Sequence, residues 1–181
     1  MKDNNAFNEM MVHVPLCTHK EASKVLIIGT ADEDLKAQAA KHSYSNIEFG
    51  DSSLLTSKNE KDIDVIILTD VKLDELLLAN IDRILKDDGL ISFSTKAFSR
   101  DENQLKRDLL TAGTKFWIAM PFKFGHSTSI LASKKYHPTA DLILQRSDFI
   151  NDLNYYSSEI HNASFVFPAS EHRALTGLAK R

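Results

Sequence analysis

One cysteine, six glycines, four prolines and one tryptophan in 181 residues exclude several kinds of protein. Cys17 alone permits no intrachain disulfide, and no Cys-x-x-Cys or His-Glu-x-x-His spacing offers a metal site. A reducing, cytoplasmic setting fits that usage. No apolar run approaches the roughly 20 residues a membrane helix needs, and the opening Met1-Lys2-Asp3-Asn4-Asn5 is polar. Lysine and arginine number 22 against 25 acidic residues, a net charge of -3, with no basic stripe to follow a phosphate backbone. Neither a membrane nor a nucleic acid is an expected partner.

What is present is an ordinary globular composition, 43% hydrophobic, enough for one good core and hardly for two. A single domain over residues 1–181 is the expectation. Lys24-Val25-Leu26-Ile27-Ile28-Gly29 is a short apolar run ending in glycine, followed by Asp32-Glu33-Asp34 and a helix-prone stretch from Leu35 to His42. That is the pattern of a buried parallel strand feeding a helix, with acidic residues at the positive helix end. Asn46 to Phe49 reads as a second strand and Asp64 to Thr69 as a third.

Leu73, Leu77, Ile81, Ile84 and Leu85 recur at helical spacing until Asp87-Asp88-Gly89 ends the pattern. Leu90 to Ser94 then reads as a strand, Asp101 to Thr111 as a helix, and Lys115 to Pro121 as a strand paired in a hairpin with Ser127 to Ser133. Such alternation predicts an α/β fold, a mostly parallel sheet covered on both faces and closed by an antiparallel hairpin. Ligands of such sheets bind beyond the carboxyl ends of the strands, after Ile28, Phe49, Leu68 and Phe93.

Two segments carry a resemblance. Phe7-Asn8-Glu9-Met10-Met11-Val12-His13-Val14-Pro15-Leu16-Cys17-Thr18-His19, followed by Lys24 to Gly29, resembles the spermidine synthase pattern Tyr-His/Gln-Glu-Met-x-x-His-Val-Pro-Leu-x-x-His before Val-Leu-Ile-Ile-Gly-Gly-Gly-Asp-Gly-Gly. Near the other end, Tyr155-Tyr156-Ser157-Ser158-Glu159-Ile160-His161-Asn162-Ala163-Ser164-Phe165-Val166-Phe167-Pro168 is similar to that family's Tyr-Tyr-Asn-x-x-x-His-x-Ala-Ala-Phe-x-Leu-Pro. The resemblance implies a Rossmann-like fold of the S-adenosylmethionine-methyltransferase type. It also implies an aminopropyltransferase of polyamine biosynthesis, moving the aminopropyl group of decarboxylated S-adenosylmethionine to putrescine and giving spermidine and methylthioadenosine. The implied partners are a diamine and a nucleoside, with a homodimer as the assembly it admits. No cofactor is implied; decarboxylated S-adenosylmethionine is a co-substrate.

By resemblance, Asp51 meets the adenine amino group, Asp32 holds the ammonium of the donor, Gly29 lies against the nucleoside, Asn8 offers an amide hydrogen bond, and Tyr155 and Tyr156 flank the diamine. Each has a plainer alternative: Asp51 a turn or helix cap, Asp32 a solvated helix start, the tyrosines core packing. His13, His19 and His161 match the pattern and are read as structural. The amine must lose a proton to attack, so one carboxylate has to act as base. Asp70 is the candidate, although it falls one residue after the family's catalytic aspartate, whose position is Thr69. It can serve only where the strand end carries a bulge or break.

Other departures include Gly29-Thr30-Ala31-Asp32-Glu33-Asp34, which lacks four of the family's glycines, and a stretch from Gly29 to Asp51 too short for the family's second strand, helix and third strand. The small β domain that relatives carry ahead of the Phe7 segment is expected to be missing. These departures favour an alternative, a degenerate member that binds small molecules or subunits without catalysis. A methyltransferase is the third reading, opposed by the Tyr155 to Pro168 segment.

Overall fold

The computed structural model describes residues 4–181, beginning at the backbone of Asn4. The elements follow in the order α1 (Asn4–Thr18), β1 (Lys24–Gly29), α2 (Glu33–Ala40), β2 (Asn46–Gly50), α3 (Ser53–Thr56), β3 (Ile63–Thr69), α4 (Glu75–Ile84), β4 (Leu85–Thr95), α5 (Phe98–Gly113), β5 (Ile118–Phe124), β6 (Ser127–Ser133), α6 (Leu144–Ser147), α7 (Ser158–Ser164) and α8 (Ala169–Leu175). Six strands form one sheet in the order β2-β1-β3-β4-β6-β5. The β1–β2, β1–β3 and β3–β4 pairs are parallel, and β6 runs antiparallel to β4 and β5. This is the expected mostly parallel α/β sheet with its closing hairpin. None of the described helices is long and apolar enough to cross a membrane.

Side chains alternate across a strand, so each apolar run supplies both faces. Val25, Ile27, Val65 and Ile67 pack with α1, while Leu26, Ile28, Ile66 and Leu68 pack with α4 and α5. All seven residues of β3 are buried, and Val25 to Ile28 pair in register with Val65 to Leu68. The two runs are therefore adjacent central strands, as their uninterrupted apolar character predicts.

Some boundaries differ from the sequence expectation. Helix α4 ends at Ile84, because Leu85 already has the extended backbone of β4, and Asp87-Asp88-Gly89 lies inside that strand rather than stopping the helix. The extra residues loop out where the register jumps from Ile63↔Leu85 to Val65↔Leu90. Strand β5 starts at Ile118, three residues later than Lys115, because Lys115 lies in a turn and Trp117 stays 80% exposed. Helix α5 is kinked at Asp101, whose carboxylate accepts the Gln104 N–H at 2.9 Å and caps the regular part.

Sequence periodicity gave no sign of α1. Ala6, Met10, Met11, Val12, Val14, Leu16 and Cys17 are all buried, so the helix has no polar face, and Pro15 lies within it. Its anchor is Glu9, fully buried, whose carboxylate accepts the backbone N–H groups of Asn154 at 2.9 Å and of Tyr155 and Tyr156 at 2.8 Å each. A Glu9→Gln variant turns one acceptor oxygen into a donor facing donors. Its expected cost is about 2–4 kcal/mol, read as a lowered urea midpoint with an unchanged m-value. An unaltered midpoint would remove the clamp from the stability account.

Candidate active site

In a parallel sheet the crevice opens where neighbouring strands send their connections to opposite sides, here between the carboxyl ends of β1 and β3. Gly29 ends β1 with φ +113, and a Cβ built on it would lie 1.8 Å from the Thr69 carbonyl oxygen. Only glycine fits that approach. Opposite it, the buried Thr69 hydroxyl donates to the Thr30 carbonyl at 2.6 Å. Thr69 therefore ties the β1 loop to β3 and cannot be exchanged for a carboxylate without setting an anion against that carbonyl.

The backbone turns immediately afterwards. Asp70 is exposed and has φ +55, the left-handed region, which aspartate and asparagine enter more readily than other side chains. This is the break at the strand end that the sequence required of Asp70. The cap of α4 is Asp74, which accepts the Leu77 N–H at 2.8 Å.

Asp70 lines two cavities. One, of about 410 Å³, is bounded by Gly29, Thr30, Ala31, Lys36, Phe49, Gly50, Asp51 and Thr69. The other, of about 500 Å³, runs from Ala6 and Phe7 to Ser94, Lys96, Arg100 and the Gly125–His126 turn. Both volumes suit a small organic ligand. The fold thus gathers Gly29, Asp51 and Asp70 at one opening. Asp51 accepts from the Ser53 N–H at 2.8 Å and the Ser53 hydroxyl at 2.5 Å, and these bonds hold its exposed carboxyl below the usual range.

Asn8 and Asp32 have other partners and line neither cavity. Asp32 caps α2 by accepting the Leu35 N–H at 2.7 Å, and the buried Asn8 amide donates to Asp32 at 3.1 Å and Asp34 at 2.8 Å. The plain reading of Asp32 as a helix start is what its bonds display. The two tyrosines also diverge. The Tyr155 hydroxyl accepts the Gly125 N–H at 3.1 Å and so braces the cavity rim, whereas Tyr156 is 4% exposed and bonded to His161 at 2.9 Å. Tyr156 belongs to the core, packed in the cluster around α1.

His13, His19, His42 and His161 are interior groups. The His13 Nδ1 is 2.8 Å from His42 Nε2, His13 Nε2 is 3.1 Å from the Gln38 oxygen, and His42 Nδ1 is 2.7 Å from the Tyr44 hydroxyl. Burial lowers His13 to about 4, His42 to about 3 and His161 to about 4. At the amino ends of the strands His19, Asp64 and Asp88 converge, a cluster no sequence spacing announced. There the His19 Nδ1 accepts the Glu21 and Ala22 N–H groups at 3.2 and 2.9 Å, which leaves the neutral ring's proton on Nε2. Lys86, 2.8 Å from Asp64, already supplies the positive charge.

The cavity residues that the sequence reading passed over are Ser94, Lys96, Arg100 and His126. The first three follow or end β4, on the edge where such folds bind ligands, so their position was readable although their convergence was not.

A six-stranded, mostly parallel sheet with its opening at the β1–β3 switch point defines an α/β protein of the S-adenosylmethionine-methyltransferase type. An S-adenosylmethionine-dependent O-methyltransferase from Thermotoga maritima shares that fold at a TM-score of 0.51 and 14% identity, over 73% of this chain and 64% of that one. Spermidine synthase from Thermotoga maritima superposes more fully, with a TM-score of 0.84 and 24% identity over 96% of this chain and 75% of that one. The family model for the spermine/spermidine synthase domain matches residues 4–66. The polyamine aminopropyltransferase of Helicobacter acinonychis (strain Sheeba) is 28% identical over 192 residues, covering 89% of this chain and 73% of its own. Over most of its length the chain is similar to members of the spermidine synthase family.

Proposed function

We propose that this chain is an aminopropyltransferase of polyamine metabolism. The β1–β3 cavity receives the nucleoside of decarboxylated S-adenosylmethionine, and Asp70 takes the proton of the attacking amine. The observation that carries this reading is the placement of Asp70, among the described residues the one acidic side chain common to both cavities, at the break after β3. A base must face donor and acceptor together, and this carboxylate borders the space for each. Putrescine, the acceptor that would give spermidine, is the first amine to assay. Methylthioadenosine released from the decarboxylated donor in the presence of an amine supports the proposal; a folded chain that releases none with any amine overturns it.

The second reading, a non-catalytic binder, is favoured by the β1 loop. Gly29 alone has a positive φ there, and Thr30, Ala31, Glu33 and Asp34 stand where the resemblance has further glycines. Side chains on that loop keep a ligand from the backbone. Methylthioadenosine affinity is therefore expected to be weak, reduced roughly tenfold to a hundredfold for each polar contact of about 1–3 kcal/mol that is lost. Calorimetry would check this, and a submicromolar Kd would contradict it.

A further inference from the structure

The cavity beyond Asp70 carries the wrong charge for a diamine. Among the described residues its side chains include one carboxylate, Asp70, against the cations Lys96 and Arg100 and the imidazole of His126. None of the ion pairs among the described residues involves Lys96 or Arg100. A contiguous cavity of about 220 Å³ shares Arg100 and His126 and adds Lys123 and Glu171. Lys123 lies 4.7 Å over the Phe167 ring, which holds its charge beside the groove. The Ser94 hydroxyl, buried and without a hydrogen-bond partner among the described residues, also borders the larger cavity.

A dication whose first nitrogen meets Asp70 would carry its second into the neighbourhood of Lys96 and Arg100, and like charges brought together disfavour binding. A molecule with nitrogen at one end and a carboxylate at the other meets no such conflict. An arginine fork is suited to a carboxylate, and a lysine ammonium adds charge.

We propose that this cavity binds a zwitterionic amine of the amino-acid type, with its nitrogen at Asp70 and its carboxylate at Lys96 and Arg100. As an assignment of the acceptor it rests on the aminopropyl-transfer reading; as a binding site it does not. In the transfer step the neutral nitrogen attacks the propyl carbon attached to the sulfonium sulfur. The N–C bond forms, the C–S bond breaks with its electron pair passing to sulfur as methylthioadenosine leaves, and the proton lost by nitrogen goes to Asp70.

Putrescine and 5-aminopentanoate test this, since each sets its first nitrogen on a four-carbon chain and they differ in the charge at the far end. Calorimetric titrations with and without methylthioadenosine are expected to show 5-aminopentanoate binding at least tenfold more tightly than putrescine. In a Lys96→Gln/Arg100→Gln variant that preference is expected to vanish while methylthioadenosine affinity stays unchanged; both side chains are exposed, so folding is not at stake. Equal or tighter putrescine binding, no binding of either compound, or a preference surviving in the variant overturns the proposal. Methylthioadenosine release is scored separately. Charge-dependent 5-aminopentanoate binding without release keeps the site and discards the transfer reading.

Discussion

Replacing Asp70 with asparagine is expected to lower aminopropyl transfer by roughly two to four orders of magnitude, the usual contribution of a positioned general base. Methylthioadenosine binding and thermal stability should be nearly unchanged. The substitution is clean for structural reasons. Asparagine tolerates the left-handed backbone at φ +55, the side chain is exposed, and the cap of α4 is supplied by Asp74 rather than Asp70. The amide keeps the shape of the carboxylate and cannot accept the amine's proton. The measurement is single-turnover release of methylthioadenosine from donor and whichever amine the native chain uses. Equal rates in the two proteins would remove Asp70 from the mechanism, and a rate deficit accompanied by lost nucleoside binding would make it a binding group instead.

Acidification from pH 7 to pH 5 is expected to cost on the order of 2 kcal/mol for each of His13, His42 and His161. In the unfolded chain these rings take up protons near the ordinary value of 6.5, while in the folded chain burial holds them at about 4, 3 and 4. Between those limits the unfolded state binds more protons, so stability falls as the pH falls and levels off below about pH 4 for His13 and His161 and about pH 3 for His42. His19, also lowered mainly by burial, acts in the same direction.

Hydrogen bonding fixes the tautomers of the neutral rings. The Gln38 oxygen can only accept, which sets the proton of His13 on Nε2 and leaves its Nδ1 to accept from His42, whose own Nδ1 accepts from Tyr44. A second proton on His13 would face the His42 N–H. Urea unfolding at the two pH values, or the thermal midpoint across that range, provides the check. A flat profile between pH 7 and pH 5 would mean that the three rings are solvated or partnered differently.

The parts of this fold that were legible are those whose local chemistry and tertiary role agree. The β1 and β3 runs are apolar at every position because both sheet faces are covered, and the Gly125–His126 turn is short enough to force a hairpin. Helix α1 was hidden for the opposite reason, since a helix buried all round has no polar face and Pro15 argues against it. At the site, Gly29, Asp51 and Asp70 were named by the resemblance, and each lies at or just after a strand end, where the fold opens. Asn8, Asp32 and Tyr156 resemble ligand contacts but are occupied by partners up to 26 residues distant in sequence. The backbone of both Tyr155 and Tyr156 is held by Glu9, far away in the chain, and no local pattern records which of the two faces the rim.

The Glu9 clamp also has a temporal side. Its hydrogen bonds join residues 145, 146 and 147 positions apart. At translation rates of about 5–20 residues per second, α1 leaves the ribosome on the order of ten seconds before Tyr156 does. Through that interval Met10, Met11, Val12, Val14 and Leu16 lack the segment that pins the helix down, and the tyrosine bracing the Gly125 turn has not yet been made. The nascent chain therefore presents a sticky apolar helix for as long as its final stretch is missing. A contact of such high order also slows the refolding of the finished protein, and the rim of the cavity, set by the same stretch, is among the last features to become fixed.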